Sequence, residues 1–354
     1  MVVSLFVLLL AGCGTGSSSG QGSESSSDTP ASAPAAEPKA DNQDADRHLV
    51  VYSGRGENQI KPVLDRFEQE TGIKVEARYG SSAELALALV EEGQSSPADV
   101  FLTVDAGALG AVSRAGLFAE LPASILDRVD PRFTARDGSW VGVTGRVRVV
   151  VYNTQRVSES DLPPSILDYT DPKWKGRLGW TPSYGSFQAF LTALRLDKGE
   201  DVARQWVEGI LKNEPRAYTQ NLPMLEAVAN GEIDVAFTNH YYYYRMKSQQ
   251  GADFPLGIYF FRNGDPGGLI NPSGAGILAT AKNADEAQEF IEFLLSEEIQ
   301  KYFTEQAFEY PVAKGVAPRQ DLPPLESLTT PDIDLSDLQD LEETLKLLRD
   351  AGAI

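Results

Sequence analysis

The sequence contains very little cysteine and histidine. Cys13 is the only cysteine among 354 residues, which excludes an internal disulfide and a cluster of thiolate metal ligands. His48 and His240 are the only histidines, so few side chains could serve as a general base. The single match to Gly-x-Ser-x-Gly, at residues 16–20, lies in a Ser- and Gly-rich segment and not between a strand and a helix, and the chain has no His-Glu-x-x-His sequence. These absences argue against a hydrolase.

Basic residues are scarce as well. The chain has 31 Lys and Arg against 51 Asp and Glu, which gives a formal net charge of −20. Binding to a phosphate backbone needs patches of Lys and Arg, so we expect no nucleic-acid partner. The apolar run at residues 2–10 is too short to span a bilayer, and it matches the apolar region of a secretory signal.

The N-terminal segment predicts export and attachment to a membrane. Leu10, Ala11, Gly12 and Cys13 resemble a bacterial lipobox, in which cleavage leaves a lipidated cysteine at the new N-terminus. We therefore interpret residues 1–13 as a lipoprotein signal with Cys13 as the lipidation site. Residues 14–47 are rich in Ser, Gly, Pro, Ala and acidic side chains, a composition typical of a disordered tether. The expected location is outside the cytoplasm, anchored to the bacterial cell membrane.

The remaining residues, about 300, predict an α/β fold and suit two domains better than one. Strands are expected at residues 48–52, 74–79, 99–103 and 146–152. Apolar residues at helical spacing predict helices around residues 60–67, 85–89 and 287–295, and a leucine stripe from residue 338 to 348. Ligands of open α/β sheets bind beyond the carboxyl ends of strands. Residues 53–57, 103–105 and 239–242 are therefore expected to converge.

Four consecutive tyrosines at residues 241–244 are the most unusual feature of the sequence. Phenol has a pKa near ~10 in water, so it is a poor ligand for most metals at neutral pH. A hard trivalent cation such as Fe³⁺ can displace the phenol proton and bind the phenolate, because metal ligands bind in their deprotonated forms. If residues 237–239 close a strand, the tyrosines lie on the following loop. The alternative is a half-buried aromatic strand, since Tyr is favoured in strands.

With these residues in view, the chain resembles the periplasmic ferric-iron-binding proteins of ABC importers, a branch of the two-lobed solute-binding proteins. The segments that carry the resemblance are residues 51–55, 99–101, 145–154, 174–177, 185–190 and 239–242. The resemblance implies a type II-like periplasmic-binding-protein fold, in which hinge strands join two α/β lobes around a ligand cleft. Lobe 1 is expected at residues 48–147 plus 274–325 and lobe 2 at residues 148–273, with a C-terminal helix at 326–354 packed on the body.

The resemblance also implies a ligand set. Tyr241 and Tyr242 match the paired tyrosine ligands of the family, and the further candidates for the metal are Glu57, Asp105 and Tyr184. The candidates for holding a synergistic anion are Gly185, Ser186, Asn221, Asn239 and Arg55.

Several of these residues have an ordinary structural alternative. Glu57 could be an acidic residue in the first turn of a helix, and Asp105 could be a helix N-cap. Arg55 could be a solvated surface arginine, and Tyr184 could cover the anion instead of binding the metal. For His240 we expect either a supporting position behind the tyrosines or a surface position.

The resemblance implies capture of Fe³⁺, with phosphate or carbonate as the synergistic anion, and delivery to an ABC permease and its ATPase. We expect a monomer. The alternative keeps the fold and changes the cargo to an inorganic or organic anion, a phosphonate, a polyamine or thiamine. An enzyme is the third hypothesis, and no catalytic motif supports it.

Overall fold

The computed structural model describes residues 47–251 and 254–354. The predicted signal, the lipidation of Cys13 and the tether up to residue 46 lie outside the described residues. The strands are β1 (His48–Ser53), β2 (Lys74–Tyr79), β3 (Val100–Thr103), β4 (Val141–Asn153), β5 (Leu178–Trp180), β6 (Arg216–Ala217), β7 (Val235–Asn239), β8 (Leu256–Tyr259), β9 (Ile270–Ile277) and β10 (Tyr310–Pro311).

The helices alternate with the strands along most of the chain. They are α1 (Glu57–Thr71), α2 (Ser82–Glu92), α3 (Ala106–Arg114), α4 (Ala123–Leu126), α5 (Gly185–Lys198), α6 (Glu200–Lys212), α7 (Asn221–Ala229), α8 (His240–Gln250), α9 (Ala284–Leu294), α10 (Glu297–Ala307) and α11 (Leu341–Asp350). In the part of the chain that the structure describes, no helix combines the length and the apolar character needed to cross a bilayer. The predicted α/β fold is confirmed.

The helix predictions follow from local rules. In α1 the spaced apolar residues Ile60, Val63, Leu64 and Phe67 are buried, and the helix ends at Gly72, whose φ of 76° is readily adopted only without a side chain. In α2 a capping box joins Ser81 and Glu84 at the N-terminus. Such elements are determined by neighbouring residues.

The strands form one hydrogen-bonded path in the order β2-β1-β3-β9-β4-β7-β5-β6. The first group, β1 to β3, is parallel, and so are β5, β6 and β7. The 13-residue strand β4 joins the two groups. Its first half pairs with β9 and β10, and its second half, from Arg148 onward, pairs with β7 and β8.

The lobe boundaries of the sequence analysis stay predictions. The partners of β4 change between Val147 and Arg148, which is where the first boundary was placed. Strand β9 already pairs with β4 from Ile270 onward, so the second crossing comes a few residues before the expected position at 273 and 274.

The tyrosine run lies in a helix, so both sequence-based placements of it were wrong. Strand β7 ends at Asn239 and α8 begins at once with His240. Tyrosine is neutral to poor in isolated helices, yet Tyr242, Tyr243 and Tyr244 are all buried here. Burial of these three rings stabilises the first turns of α8, and this packing overrides the local preference of tyrosine for strands.

His240 is fully buried and not at the surface. Its Nδ1 accepts a hydrogen bond from the backbone N–H of Val147 at 3.0 Å, and its Nε2 donates to the carbonyl oxygen of Phe308 at 2.8 Å. Burial lowers the pKa of His240 to about 4, although Glu309 opposes the shift. The neutral ring therefore joins the first turn of α8 to β4 and to the end of α10.

The C-terminal segment, residues 326–354, contacts helices α3 and α5. Arg114 of α3 forms an ion pair with Asp337 at 2.8 Å, and Trp140 donates to the Ser336 hydroxyl at 3.1 Å. Further along, the hydroxyls of Thr192 in α5 and Thr344 in α11 lie 2.7 Å apart. The segment is thus held against α3 at one end and α5 at the other.

We expect His240 to make folding stability depend on pH. Its pKa of about 4 in the folded state lies below the unfolded value of about 6.5. The unfolded chain therefore binds more protons between these values, so stability is present above pH ~6.5 and is lost as the pH falls towards 4. Between pH 7.5 and pH 5 the loss due to His240 should be about 2 kcal/mol.

Urea unfolding of residues 47–354 at several pH values measures this slope. His240→Gln can keep one acceptor and one donor while removing the titration, so its slope should be shallower. The matched control is His48→Gln, which removes the other, exposed histidine. A His240→Gln variant with the same slope as the parent would contradict the assignment.

Candidate functional site

A cavity of about 640 Å³ lies where the carboxyl ends of β1, β3 and β7 meet. Its wall includes Gly54 after β1, Asp105 after β3, and Asn239 and Tyr241 at the end of β7. The turn at residues 184–186 lines the same cavity. The structure therefore brings together most of the residues that the sequence placed at strand ends.

Three tyrosines lie together beside this cavity, and two of them line it. The hydroxyl oxygens of Tyr184 and Tyr242 lie 3.0 Å apart, and the rings of Tyr241 and Tyr242 are 4.2 Å apart between centroids. Tyr184 and Tyr241 line the cavity, whereas Tyr242 is buried directly behind Tyr184. Successive residues in a helix point about 100° apart, so four tyrosines in a row face different surroundings. Accordingly Tyr244 points elsewhere and donates to the carbonyl oxygen of Asp321.

These phenols are protonated at neutral pH, and burial raises their pKa values further above it. Burial and the hydrogen bond to Tyr242 raise the pKa of Tyr184 to about 12. Burial also raises the pKa of Tyr241, although the Arg146 charge opposes the rise. The pKa of Tyr242 rises for the same reason, with a further contribution from Tyr241, while Tyr184 and Asn221 oppose it. A strong positive charge is needed to remove these protons.

Three helices begin beside the tyrosines without a side-chain cap. They are α5 after Tyr184, α7 after Gln220 and α8 after Asn239. The first N–H groups of a helix have no partner within the helix and carry partial positive charge. The buried Ser186 hydroxyl and the side-chain nitrogen of Asn221 also lack a hydrogen-bond partner among the described residues. This arrangement suits an anion.

Two arginines that the sequence analysis did not select also line the cavity. Arg146 and Arg148 lie two residues apart on β4, so both point to the same face of the strand. Arg148 donates to the side-chain oxygen of Asn239 at 3.3 Å, and burial lowers its pKa to about 10, which still leaves it charged at neutral pH. Neither guanidinium forms an ion pair with a carboxylate within residues 47–251 and 254–354, and the Nε of Arg146 has no partner there.

A sequence signal for these arginines was present. In a strand of valines, cations at alternate positions place charge on a single buried face. Burying that charge costs free energy unless a partner or a ligand compensates it. Residues 145–154 carry part of the family resemblance, and this alternation within them is the signal that marks the two arginines.

Asp105 lines the cavity but uses both carboxylate oxygens. Its Oδ1 accepts from the backbone N–H of Gly107 at 2.8 Å and of Ala108 at 3.3 Å, so it caps α3. Its Oδ2 accepts from the side-chain amide of Asn271 at 2.8 Å. The structure thus shows the N-cap alternative, and a metal-binding role for Asp105 stays a prediction.

The structure does not bring Glu57 or Arg55 to the cavity. Glu57 is exposed in the first turn of α1, beside a shallow surface pocket with Lys61 and Asp65. Arg55 is buried, so the surface alternative was wrong. Its Nη2 donates to Glu309 at 2.6 Å and to the Thr144 hydroxyl at 2.7 Å. Although burial favours a neutral carboxyl, Arg55 holds the pKa of Glu309 below its usual value.

Comparison with known proteins places this geometry in a family. The sequence profile described as bacterial extracellular solute-binding protein matches residues 95–336, more than half of the chain. The chain belongs to this family. Members of this solute-binding family act outside the cytoplasm and bind small solutes.

Individual relatives cover almost the whole described part of the solute-binding protein. The Fe(3+)-binding periplasmic protein of Serratia marcescens is 37% identical over 312 residues, which cover 88% of this chain and 92% of that protein. The major ferric iron-binding protein of Neisseria meningitidis serogroup A is 38% identical over 307 residues, with coverage of 86% and 92%.

Solved structures agree with these sequence matches. Iron-bound HitA from Pseudomonas aeruginosa has a TM-score of 0.79 and 38% identity, and the match covers 86% of this chain and 99% of that chain. Trichodesmium IdiA (FutA) in complex with iron and citrate has a TM-score of 0.77 and 30% identity, with the same coverage. These neighbours support the two-lobed fold expected from the sequence.

The polar groups at the cavity are phenols, amides, guanidiniums, hydroxyls, backbone N–H groups and the carboxylate of Asp105. Among the described residues no group of three His, Cys, Asp or Glu side chains could hold a metal ion. A metal at this solute-binding cavity would therefore depend chiefly on phenolate oxygens, because Asp105 is the one carboxylate among the residues that line it.

Substitutions of Asp105 test how much its N-cap contributes to the stability of the protein. We expect Asp105→Ala to destabilise the protein by about 1–2 kcal/mol in urea unfolding, because two N–H groups of α3 lose their acceptor. Asp105→Asn keeps an oxygen for the cap and should recover much of that loss. Ser296→Ala, which removes the cap of α10, is the matched control and should cost a similar amount. An unchanged unfolding midpoint in Asp105→Ala would show that the cap contributes little.

Proposed function

We propose that this solute-binding protein captures ferric iron together with an anion and delivers it to an ABC permease. The observation that supports this most directly is the meeting of Tyr184, Tyr241 and Tyr242 at one cavity that also contains two arginines. Solute-binding proteins of this family work with ABC transporters, and the closely similar proteins described above are named for ferric iron.

Phenolate oxygens would select the metal. Hard cations prefer oxygen ligands, and Fe³⁺ carries enough charge to displace phenol protons that burial otherwise retains. On this proposal Tyr241 and Tyr242 supply the paired phenolates. Tyr184, whose hydroxyl lies 3.0 Å from that of Tyr242, becomes a third ligand or covers the anion. Gaps in the coordination shell would be filled by oxygens of the anion.

The anion would bind at the helix N-termini beside the metal. Gly185, Ser186, Asn221 and Asn239 lie at the starts of α5, α7 and α8, and Arg146 and Arg148 add two positive charges. Phosphate, carbonate or a carboxylate would meet unpartnered donors there. The anion also offsets the charge of the trivalent cation, which lowers the cost of enclosing it.

An anion without iron is the second candidate cargo. Arg146 and Arg148, which form no ion pair among the described residues, favour it because they would attract any small oxyanion. The same arginines disfavour polyamines and thiamine, which are cationic. We propose no catalytic reaction, since the relatives named above are binding proteins.

We propose that the protein works at the outer face of the cell membrane. Its family acts outside the cytoplasm. Lipidation at Cys13 and a tether up to residue 47 would keep the binding body close to the permease. Metal would favour the closed form of the two lobes by its higher affinity for that form.

An absorption titration decides between iron and an anion alone. Residues 47–354 titrated with ferric citrate at neutral pH, with and without phosphate, should develop a broad visible band at one equivalent, because ferric phenolates absorb visible light. Tyr241→Phe and Tyr242→Phe each remove one phenolate oxygen and keep the ring, so affinity should fall at least 100-fold while folding is retained.

Tyr243→Phe is the matched control. It changes the next residue of the same helix, whose ring packs against Tyr244, and should bind like the parent. A protein that folds but shows no band would favour the anion alone. Unchanged ferric affinity in both Tyr241→Phe and Tyr242→Phe would refute the phenolate ligands.

The number of protons released when ferric iron binds reports how many phenols coordinate it as phenolates. Because the pKa values of Tyr184, Tyr241 and Tyr242 are raised, each coordinated phenol loses one proton to solvent on binding. Two phenolates should make ferric affinity fall about 100-fold per unit of decreasing pH near neutrality, and three should make it fall about 1000-fold. Potentiometric titration of the parent and of Tyr184→Phe, corrected for the free chelate, separates these cases. Equal release by the two proteins would mean that Tyr184 is not a ligand.

A further inference from the structure

The cavity continues from the tyrosines into an apolar groove. We define this groove by six side chains that line it: Leu87, Val90, Ala108, Ala111, Leu338 and Leu341. Leu87 and Val90 belong to α2, Ala108 and Ala111 to α3, and Leu338 and Leu341 to the C-terminal segment. The six side chains that define the groove are apolar, whereas Arg146 and Arg148, which line the same cavity, are charged.

Helix α2 exposes apolar side chains on the face that borders this groove. Leu85, Ala86 and Leu89 face the core, which is the single apolar stripe that a surface helix normally has. Leu87 and Val90, three residues apart, form a second stripe and are 59% and 44% exposed. Exposed apolar surface beside a cavity is typical of a binding surface, because water there is displaced favourably by an apolar group.

The opposite wall is fixed in place. Leu338 lies between Asp337, paired with Arg114 of α3, and Asp340, whose backbone carbonyl accepts from Arg195 of α5 at 3.1 Å. A Cβ at Gly110 of α3 would overlap the carbonyl oxygen of Ser336, so this segment packs directly on the helix backbone. The groove is therefore preformed on one side by packing that spans α3 and α5.

The groove also has room that a small cargo does not use. An iron ion with one phosphate has six heavy atoms, which take under about 200 Å³ if each occupies a water-sized volume of ~30 Å³. The cavity has about 640 Å³. Most of its space therefore lies beyond an inorganic ion pair, in the size range of sites for organic ligands.

We infer that the cleft takes iron as a complex with an organic acid anion that carries an aryl or alkyl arm. The carboxylate end lies against Arg146, Arg148 and the helix N-termini, the metal lies at the phenols, and the arm lies between Leu87 and Val90 on one side and Leu341 on the other. This inference rests on the proposed iron-binding function and specifies the chemical class of the cargo.

The test compares two anions with the same iron-binding head. Lactate and mandelate are both α-hydroxy carboxylates, and they differ by a methyl or a phenyl group. Equilibrium dialysis of radiolabelled Fe³⁺ against residues 47–354, with either anion in excess, should show about tenfold tighter binding with mandelate, the ratio expected for partial burial of a phenyl ring. Phosphate in place of both serves as the reference without an arm.

Two variants test whether the preference for mandelate arises from contact with Leu87 and Val90. Leu87→Ser and Val90→Ser should abolish the preference for mandelate and leave affinity with lactate or phosphate unchanged, since on this proposal both side chains contact only the arm. Leu196→Ser is the matched control, because Leu196 is 37% exposed and does not line the cavity. It should keep the preference.

Each other outcome is decisive. Equal affinity with lactate and mandelate refutes the apolar arm and leaves the iron function intact. A loss of affinity in Leu87→Ser with every anion alike also refutes it, since the groove then serves only to close the lobes on each other. No iron binding with any anion, by a folded protein, would refute the proposed function and this inference together.

Discussion

The long strand β4 is the constraint on which the rest of the site depends. It is hydrogen-bonded to strands of both groups, with β9 along its first half and with β7 and β8 along its second half. A strand paired in this way cannot shift register without moving every side chain to the opposite face. Arg146 and Arg148 are therefore held on one face, and the cavity forms over them.

Buried positive charge then sets the chemistry of the neighbouring groups. Arg148 stays charged because its pKa of about 10 is well above neutrality, even though burial lowers it. That charge favours anions, and the neighbouring Arg146 opposes the rise that burial causes in the pKa of Tyr241. A trivalent cation and an anion would bind together more readily than either alone, since each reduces the electrostatic cost of the other.

A second layer of contacts holds this arrangement. His240 joins α8 to β4 through the N–H of Val147, and Arg55 joins the loop after β1 to Glu309. Each contact occupies a buried polar group that would otherwise be unsatisfied, which is why none of these side chains is free to serve as a ligand. The C-terminal segment adds packing from outside, since it contacts both α3 and α5.

The sequence by itself determined the elements and the place of the cleft. Helix periodicity fixed α1, and alternation of strands and helices fixed the α/β class. The rule that ligands bind at carboxyl ends of strands placed Tyr241, Asn239 and Asp105 at one cavity, because these signals are local and repeat along the chain.

The tertiary structure alone decided which side chains are available there. Arg55 pairs with a carboxylate 254 residues away, and Asp105 is engaged by an amide 166 residues away. The helical start of the tyrosine run likewise depends on burial by distant residues. Such partners are brought together only by folding, so the local pattern could name Arg55 and Asp105 as candidates but could not show that their charges were already compensated.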